Sequence, residues 1–441
     1  MSPIQLNEQQ KSAMQRMNDF LKSDARTFLL QGYAGVGKST VIQEFIKKHC
    51  SKRIAVTAPT NKAVKILKTI AQQWDFPDDF NFCTIHRLLG LEVKLDAKGE
   101  SVLVRVKNQK DSFCEYDIII IDEGSMVNQE LWEILGGHIE KYSNPKIIFL
   151  GDRCQLPPVG EIESEVFTID NGVELTQVMR QQDGNPVGLL VDATRKLILN
   201  NERSFLVECN RNNFKYKHDL SEGVWWLEND KWMRHILKAF NSPTYQSERD
   251  YCRVLAWTNK TVNNLNSYIR NNLFGDNALN PFVEGDRLIA NNPIFKEGKD
   301  IIIPTSTEME IINVNSGIVR WEDFSYHSWL LFVEDDESGY HLIPVLQKSS
   351  ETQWKQDVKE LLEKAKKSDK KIDWTDYYQL KQLFADVNYA YCLTVHKSQG
   401  STFNNVFVSL GDILSNRNIL ERHKCLYVAF SRASQRLIIK V

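Results

Sequence analysis

Gly32-Tyr33-Ala34-Gly35-Val36-Gly37-Lys38-Ser39 is a complete G-x-x-x-x-G-K-[ST] run, whose residue types suit the holding of a nucleotide's phosphates. Glycines let the backbone bend so that successive N–H groups face an anion, and the helix that follows adds the positive end of its dipole. Lys38 would reach the β- and γ-phosphates and Ser39 would ligate Mg²⁺, with Ala34, Gly35, Val36 and Thr40 completing the phosphate contacts. Farther along, Ile118–Ile121 is followed at once by Asp122 and Glu123. Two acids at the end of an all-apolar run need a counter-charge, because unpaired buried charge is unfavourable. Mg²⁺ would supply it at Asp122, through water, and Glu123 would orient or deprotonate the attacking water. Together these motifs describe an NTPase. They do not say what hydrolysis drives.

Phosphate loops and paired acids of this kind need strands whose C-terminal ends converge. Short apolar runs at Thr27–Gln31, Arg53–Ala58, Asp117–Ile121 and Lys146–Leu150 predict buried strands, and each precedes a helix-like pattern such as Asn61–Gln73. That alternation is the signature of a parallel α/β sheet. A second α/β set starts at Arg253–Trp257 with the helix-like Val262–Leu273, and resumes at Val406–Leu410 and Arg436–Val441. Between them, about 281–388, come strand-like stretches (Arg287–Asn291, Glu308–Val314, Trp329–Glu334, Tyr340–Pro344) that suggest a small β-barrel. The charged stretch Glu351–Phe384 then predicts a helical arm, with Trp354, Val358, Leu361 and Leu362 at helical spacing. Within the first set, Val93–Leu95 and Val102–Val106 flank Asp96–Glu100 and predict a β-hairpin.

With 441 residues, 42% hydrophobic and 25% charged, the chain is ordinary globular protein of about three domains. No apolar run approaches membrane-spanning length, and the start lacks a secretion signal, so the expectation is a cytoplasmic protein that makes no membrane contact. The eight cysteines are scattered without metal-ligand spacing and read as reduced core thiols. Lys plus Arg is 55 against 57 for Asp plus Glu, a net charge of −2. Any nucleic-acid site must therefore be a local groove rather than a basic surface.

The remaining motifs, in their order, make the chain resemble a superfamily 1 helicase of subgroup B, most closely the Dda-type helicases of T-even phages, with Pif-type and RecD-like helicases next. Leu6-Asn7-Glu8-Gln9-Gln10 resembles the adenine-reading motif, with Gln10, or else Gln9, as reader. Gly151–Val159 resembles motif III, which makes Gln155 the γ-phosphate sensor. Leu175–Arg180 resembles motif IV and Leu426–Ala433 motif VI, which makes Arg180 and Arg432 the arginine fingers. The DNA contacts implied are Pro59, Thr60 and Asn61 (motif Ia), Thr84 and His86 (motif Ib), Trp257 and Asn259, and Thr394, His396 and Lys397 (motif V). Position 61 is Asn where the Dda type has His. The hairpin occupies the place of the strand-separating pin, with Val102, Leu103 and Val104 where the Dda type carries an aromatic.

The resemblance implies an α/β fold with two RecA-like parallel-sheet domains. The first would be 1–185 with the pin inserted at 90–115. The second would be 186–280 plus 389–441, interrupted at 281–388 by an SH3-like barrel with a helical tower. It implies ATP and Mg²⁺ as cofactors, 5′-to-3′ translocation on single-stranded DNA, and unwinding of a duplex fork in phage replication or recombination. A monomer is expected, and single-strand-binding or other replication proteins are candidate partners. Two rivals remain from the residues alone: a P-loop kinase of a small substrate, and an ATP-switched DNA-binding module without turnover. DNA-stimulated hydrolysis separates them. An RNA helicase on the same scaffold is a further variant.

Overall fold

The computed structural model describes residues 5–73, 80–95, 101–105, 111–177, 185–200, 221–298, 300–336, 338–368 and 371–441. Arg180 and the turn Asp96–Glu100 lie outside the described residues. The chain divides into two compact units, one of Met1–Glu92, Leu103–Thr261 and Leu393–Val441, the other of Val93–Val102 and Val262–Cys392.

The first unit carries two open sheets. One is built from β1 (Thr27–Gly32), β2 (Ile54–Ala58), β3 (Asn81–Thr84), β6 (Ile118–Ile121), β7 (Lys146–Gly151) and β8 (Gly172–Leu175), in the order β3-β2-β6-β7-β1-β8. Every neighbouring pair in it is parallel. The central strands β2 and β6 are buried at every position and β7 at all but its first, as strands covered by helices on both faces must be. The short edge strands β3 and β8 are only partly buried, so a search for apolar runs passes over them. Between β3 and β6, β4 (Leu91–Leu95) and β5 (Ser101–Arg105) pair as a two-stranded ribbon.

The second sheet contains β9 (Gly223–Leu227), β10 (Cys252–Ala256), β18 (Cys392–Thr394), β19 (Phe403–Ser409) and β20 (Ala433–Lys440), in the order β18-β10-β19-β20-β9. Its pairs β10–β19, β19–β20 and β20–β9 are parallel. Five described cysteines are buried, but Cys50 and Cys114 are exposed, which corrects the reading of all eight as core thiols. Both lie on segments between strands, where no layer covers them. Among the described residues no helix is long and apolar enough to cross a membrane.

The second unit holds an antiparallel sheet of β11 (Arg287–Ala290), β14 (Glu308–Trp321), β15 (Phe324–Asp335), β16 (Tyr340–Leu346) and β17 (Val387–Tyr389). A small pair, β12 (Ile294–Lys296) and β13 (Asp300–Ile303), precedes β14. The β14–β15 hairpin runs well beyond the predicted end at Val314, because Asn313, Asn315 and Ser316 continue the ladder past a register shift. Its far end is covered. Trp354, Val358 and Leu361 of helix Lys348–Ser368 pack against Trp321 and Tyr326, and Leu380 of helix Lys371–Lys381 joins the same cluster.

Candidate nucleotide and nucleic-acid site

Three loops at the C-terminal ends of β1, β6 and β7 meet in the first sheet. After β1 the P-loop turns through Gly35 and Gly37, both in the left-handed region, into helix Lys38–Lys48. Gly37 has a second reason to be glycine, since a Cβ there would collide with the Gln10 amide. The Lys38 ammonium donates to the carbonyls of Gly32 (2.6 Å) and Tyr33 (3.2 Å), inside the loop it would share with phosphate. Ser39 and Asp122 both border one small cavity, otherwise lined mainly by apolar side chains such as Ile42, Ile46, Phe82 and Ile120, so the two residues are neighbours. Hard oxygen donors of this kind fit Mg²⁺.

The acids are electrostatically unusual. Burial pushes the Asp122 carboxyl above the ordinary range, against the pull of the Glu123 N–H (2.8 Å) and Lys38. Glu123 is held in the left-handed region at φ 52°, which a non-glycine residue adopts only when its surroundings enforce it. Burial, then the Asp122 charge, raises its pKa to about 7, while Arg432 and Lys38 oppose the rise. A carboxyl poised near neutrality is what a general base needs. Gln155 is buried and its Oε1 has no hydrogen-bond partner among the described residues, leaving an acceptor beside Asp152.

Arg432 caps the C-terminal end of helix Ile419–Ser431, immediately before β20 in the chain. It is buried and donates to Val428 O (3.1 Å), Ser401 O (3.0 Å) and Ser431 Oγ (2.9 Å), yet its charge reaches Glu123 and Asp152. Gln10 is fully engaged as placed. Its amide donates to Val36 O (3.1 Å), and its carbonyl accepts from Asn7 N (3.0 Å) in the capping box of helix Glu8–Lys22. Gln9 bonds Thr176 and Gln177. Both glutamines therefore brace the walls around the P-loop.

The loops expected to meet nucleic acid share one local device. Thr60, Thr84, Thr258 and Thr394 each accept, through the side-chain hydroxyl, the N–H three residues on: Ala63 (3.2 Å), Arg87 (3.2 Å), Thr261 (3.2 Å) and Lys397 (3.3 Å). Each cap fixes the backbone just past a strand. The strands are β2 and β3, adjacent at one edge of the first sheet, and β10 and β18, adjacent at one edge of the second. Pro59 and Asn61 flank Thr60, and the polar side chains of Asn61 and Asn259 are both exposed. His86 and His396 are half-buried, and burial lowers the pKa of both, so they are neutral at pH 7. Gly400 closes motif V at φ +70° with Ala63 3.6 Å from its would-be Cβ.

Some organisers were not evident from spacing. Asp412 accepts from Trp257 N (2.6 Å), Thr258 N (2.8 Å), Thr258 Oγ1 (2.8 Å) and Thr261 Oγ1 (2.6 Å), shaping the whole Trp257–Asn259 loop. Tyr427 joins the P-loop to Asp152, although only Arg432 of that motif had a role in the sequence reading. In the ribbon, Leu103 packs against the first sheet's core and its N–H donates to Glu130 Oε1 (3.0 Å), so it is an anchor as well as a candidate pin residue. Val104 is half-buried, and Val102 lies in the same strand.

Residues 5–197 match the AAA domain and residues 389–439 the UvrD-like helicase C-terminal domain. The chain is 27% identical to the ATP-dependent DNA helicase Dda of Enterobacteria phage T4, over 91% of this chain and 92% of that one. It is 24% identical to the ATP-dependent DNA helicase Pif1 of Campylobacter jejuni, over 93% and 88%. Its fold resembles that of a Bacteroides Pif1 helicase solved with ADP-AlF₃ and single-stranded DNA, at a TM-score of 0.51 and 16% identity, covering 99% of this chain and 92% of that one. With a complete P-loop, the half-buried Asp122-Glu123 pair and two parallel sheets already in place, these similarities identify the chain as an enzyme of the superfamily 1B, Dda/Pif1-like family of ATP-dependent DNA helicases.

Proposed function

We propose that the protein is a 5′-to-3′ single-stranded DNA translocase that unwinds a duplex fork, with hydrolysis between two RecA-like domains, 1–185 and 186–280 plus 389–441. One observation carries the reading: four threonine-capped loops leave adjacent strands at one edge of each parallel sheet, while the phosphate loop and acids occupy other strands of the first. That separates a strand-holding track from a hydrolytic centre within one body. In this reading Pro59, Thr60, Asn61, Thr84, His86, Trp257, Asn259, Thr394, His396 and Lys397 hold DNA. Hydroxyls and N–H groups take phosphate oxygens, and Trp257 stacks without reading sequence.

Ala34, Gly35, Val36, Gly37, Lys38 and Thr40 cradle the phosphates, and Gln10 lies where it braces that cradle. Ser39 and Asp122 would hold Mg²⁺, which supplies charge neutralisation at the β- and γ-phosphates. Glu123 takes the proton of the attacking water, Gln155 offers its free carbonyl to that water, and Arg432 exchanges its carbonyl partners for phosphate oxygens. Arg180 is the other finger. Residues 281–388 form the SH3-like barrel with its helical tower, and the β4–β5 ribbon with Val102, Leu103 and Val104 is the pin. A monomer acting in the host-cell cytoplasm, in phage replication or recombination and beside a single-strand-binding protein, suits this activity. Strand displacement on matched 5′-tailed and 3′-tailed duplexes, with and without ATP, tests it. Unwinding of the 5′-tailed substrate alone is expected, and ATP-dependent unwinding of the 3′-tailed one alone would reverse the polarity.

A further inference from the structure

Tyr427 lies on helix Ile419–Ser431, five residues before Arg432. Its hydroxyl is buried and fully used. It accepts the N–H of Ala34 in the P-loop at 2.7 Å and donates to Asp152 Oδ2, just past β7, at 2.7 Å. Asp152 is buried too, and its other oxygen accepts only the Cys154 N–H (3.0 Å) among the hydrogen bonds described. One phenol of the second sheet's last helix is thus gripped by two nucleotide loops of the first sheet. Phenylalanine could fill the space but could make neither bond.

We propose that Tyr427 is a positioning residue for ATP hydrolysis: its hydroxyl ties the P-loop to the Asp152 loop and keeps Asp152 from capturing the cations meant for phosphate. The inference rests on hydrolysis occurring in this cleft. Lys38 and Arg432 both lie close enough to Asp152 to act on its charge. A buried carboxylate left with one neutral donor draws the nearest cation to itself, because an uncompensated charge is unfavourable there. With the Tyr427 donor present, Asp152 is satisfied and competes less with the γ-phosphate for Lys38 and Arg432. The hydroxyl also holds the P-loop backbone at Ala34 while the helix carrying Arg432 approaches. Both effects bear on the transition state more than on ground-state binding, so they belong in kcat.

The test is steady-state ATP hydrolysis by the full chain, with and without saturating oligothymidylate, comparing the parent with Tyr427→Phe, Asp152→Asn and the double variant. A fluorescent ADP titration of each reports binding separately. Expected for Tyr427→Phe is a kcat lower by about tenfold or more, with ATP KM and ADP affinity within about threefold, as for loss of a charge-assisted bond in the transition state. The double variant should be little worse than the worse single one, because the two side chains act as one unit. A Tyr427→Phe kcat within about twofold of the parent, equal loss of ADP binding, or fully multiplicative losses in the double variant would overturn the proposal. A parent without DNA-stimulated hydrolysis would overturn the helicase reading beneath it, and shows before any variant is compared.

Discussion

The Gln399 side-chain amide donates to the Leu156 carbonyl at 3.2 Å, joining the loop after β18 of the second sheet to the loop after β7 of the first. Gln399 closes the Thr394–Gly400 segment, where DNA contacts are placed, and Leu156 follows Gln155, whose carbonyl is free among the described residues. This buried hydrogen bond joins the segment proposed to hold DNA to the loop of the proposed γ-phosphate sensor. Gln399→Ala should lower the ratio of DNA-stimulated to basal ATPase by about fivefold or more, the lower end of ordinary coupling between sites. Titration of single-stranded DNA into the ATPase assay measures it. An unchanged ratio would mean that coupling travels elsewhere.

Lys38→Ala should abolish hydrolysis while leaving the fold and much of the DNA affinity intact, since its bonds in the structure are to its own loop. Arg432→Ala should lose orders of magnitude in kcat, as fingers contribute roughly 10³–10⁵ in related phosphoryl transfers. A loss under about tenfold would make Arg432 a structural residue that ties Val428 to Ser401.

Glu123 makes two linked predictions because its pKa is raised to about 7, by burial first and by Asp122 second. As a base it must be ionised, so kcat/KM for ATP should fall as pH drops through about 7. Stability runs the other way. A carboxyl whose folded pKa lies above its unfolded value stabilises the fold below the unfolded value, and that contribution is lost as pH rises through the folded one. Glu123→Gln should therefore stall turnover yet raise thermal stability at pH 8, by about 1–3 kcal/mol, with little gain near pH 4. Melting curves at the two pH values decide it. Equal effects at both would detach the residue from this titration.

Chemistry written in consecutive residues is legible in the sequence alone. The P-loop, the Ile run and the Asp122-Glu123 pair announce themselves because a strand, a turn and a charge lie within a few positions. Helix Asn61–Gln73 likewise follows from its own periodicity. Edge strands β3 and β8 do not, since one neighbour and partial burial leave little apolar signature. Nor do Tyr427 and Asp412. Their partners stand 393 and about 155 positions away, so their roles arise only when the sheets assemble. Gln10 shows the opposite limit: the motif locates it at the P-loop, but not that both ends of its amide are already bonded there.

Asp412 holds the Trp257 loop through four donors, two backbone N–H groups and two hydroxyls. Asp412→Ala should loosen that loop and weaken single-stranded DNA binding by about tenfold, in the range of losing a stacked base. Basal ATPase, which depends on β1, β6 and β7, should change far less. Fluorescence anisotropy with a labelled oligothymidylate measures the first, and comparable loss of basal turnover would show that Asp412 supports the whole sheet.

The ribbon carries the last prediction. A strand can be ratcheted by the threonine-capped loops alone, but separating a duplex needs an obstacle that one strand passes while the other is turned aside. Leu103 cannot be removed cleanly, because it packs on the first sheet's core and its N–H is tied to Glu130. Residues 94–102 precede that anchor in the chain. Opening a base-pair step costs about 1.4 kcal/mol of stacking on average, so an aliphatic wedge such as Val102 is sufficient when hydrolysis drives the advance. Replacing Lys94–Val102 with a short Gly-Ser turn, with Leu103 and Val104 retained, should preserve single-strand-stimulated ATPase and abolish strand displacement. Unwinding at the parental rate by the shortened protein would rule the ribbon out as the pin and move the wedge to residues 281–388. Loss of both activities with a lowered melting temperature would instead show that the ribbon supports the first sheet's core.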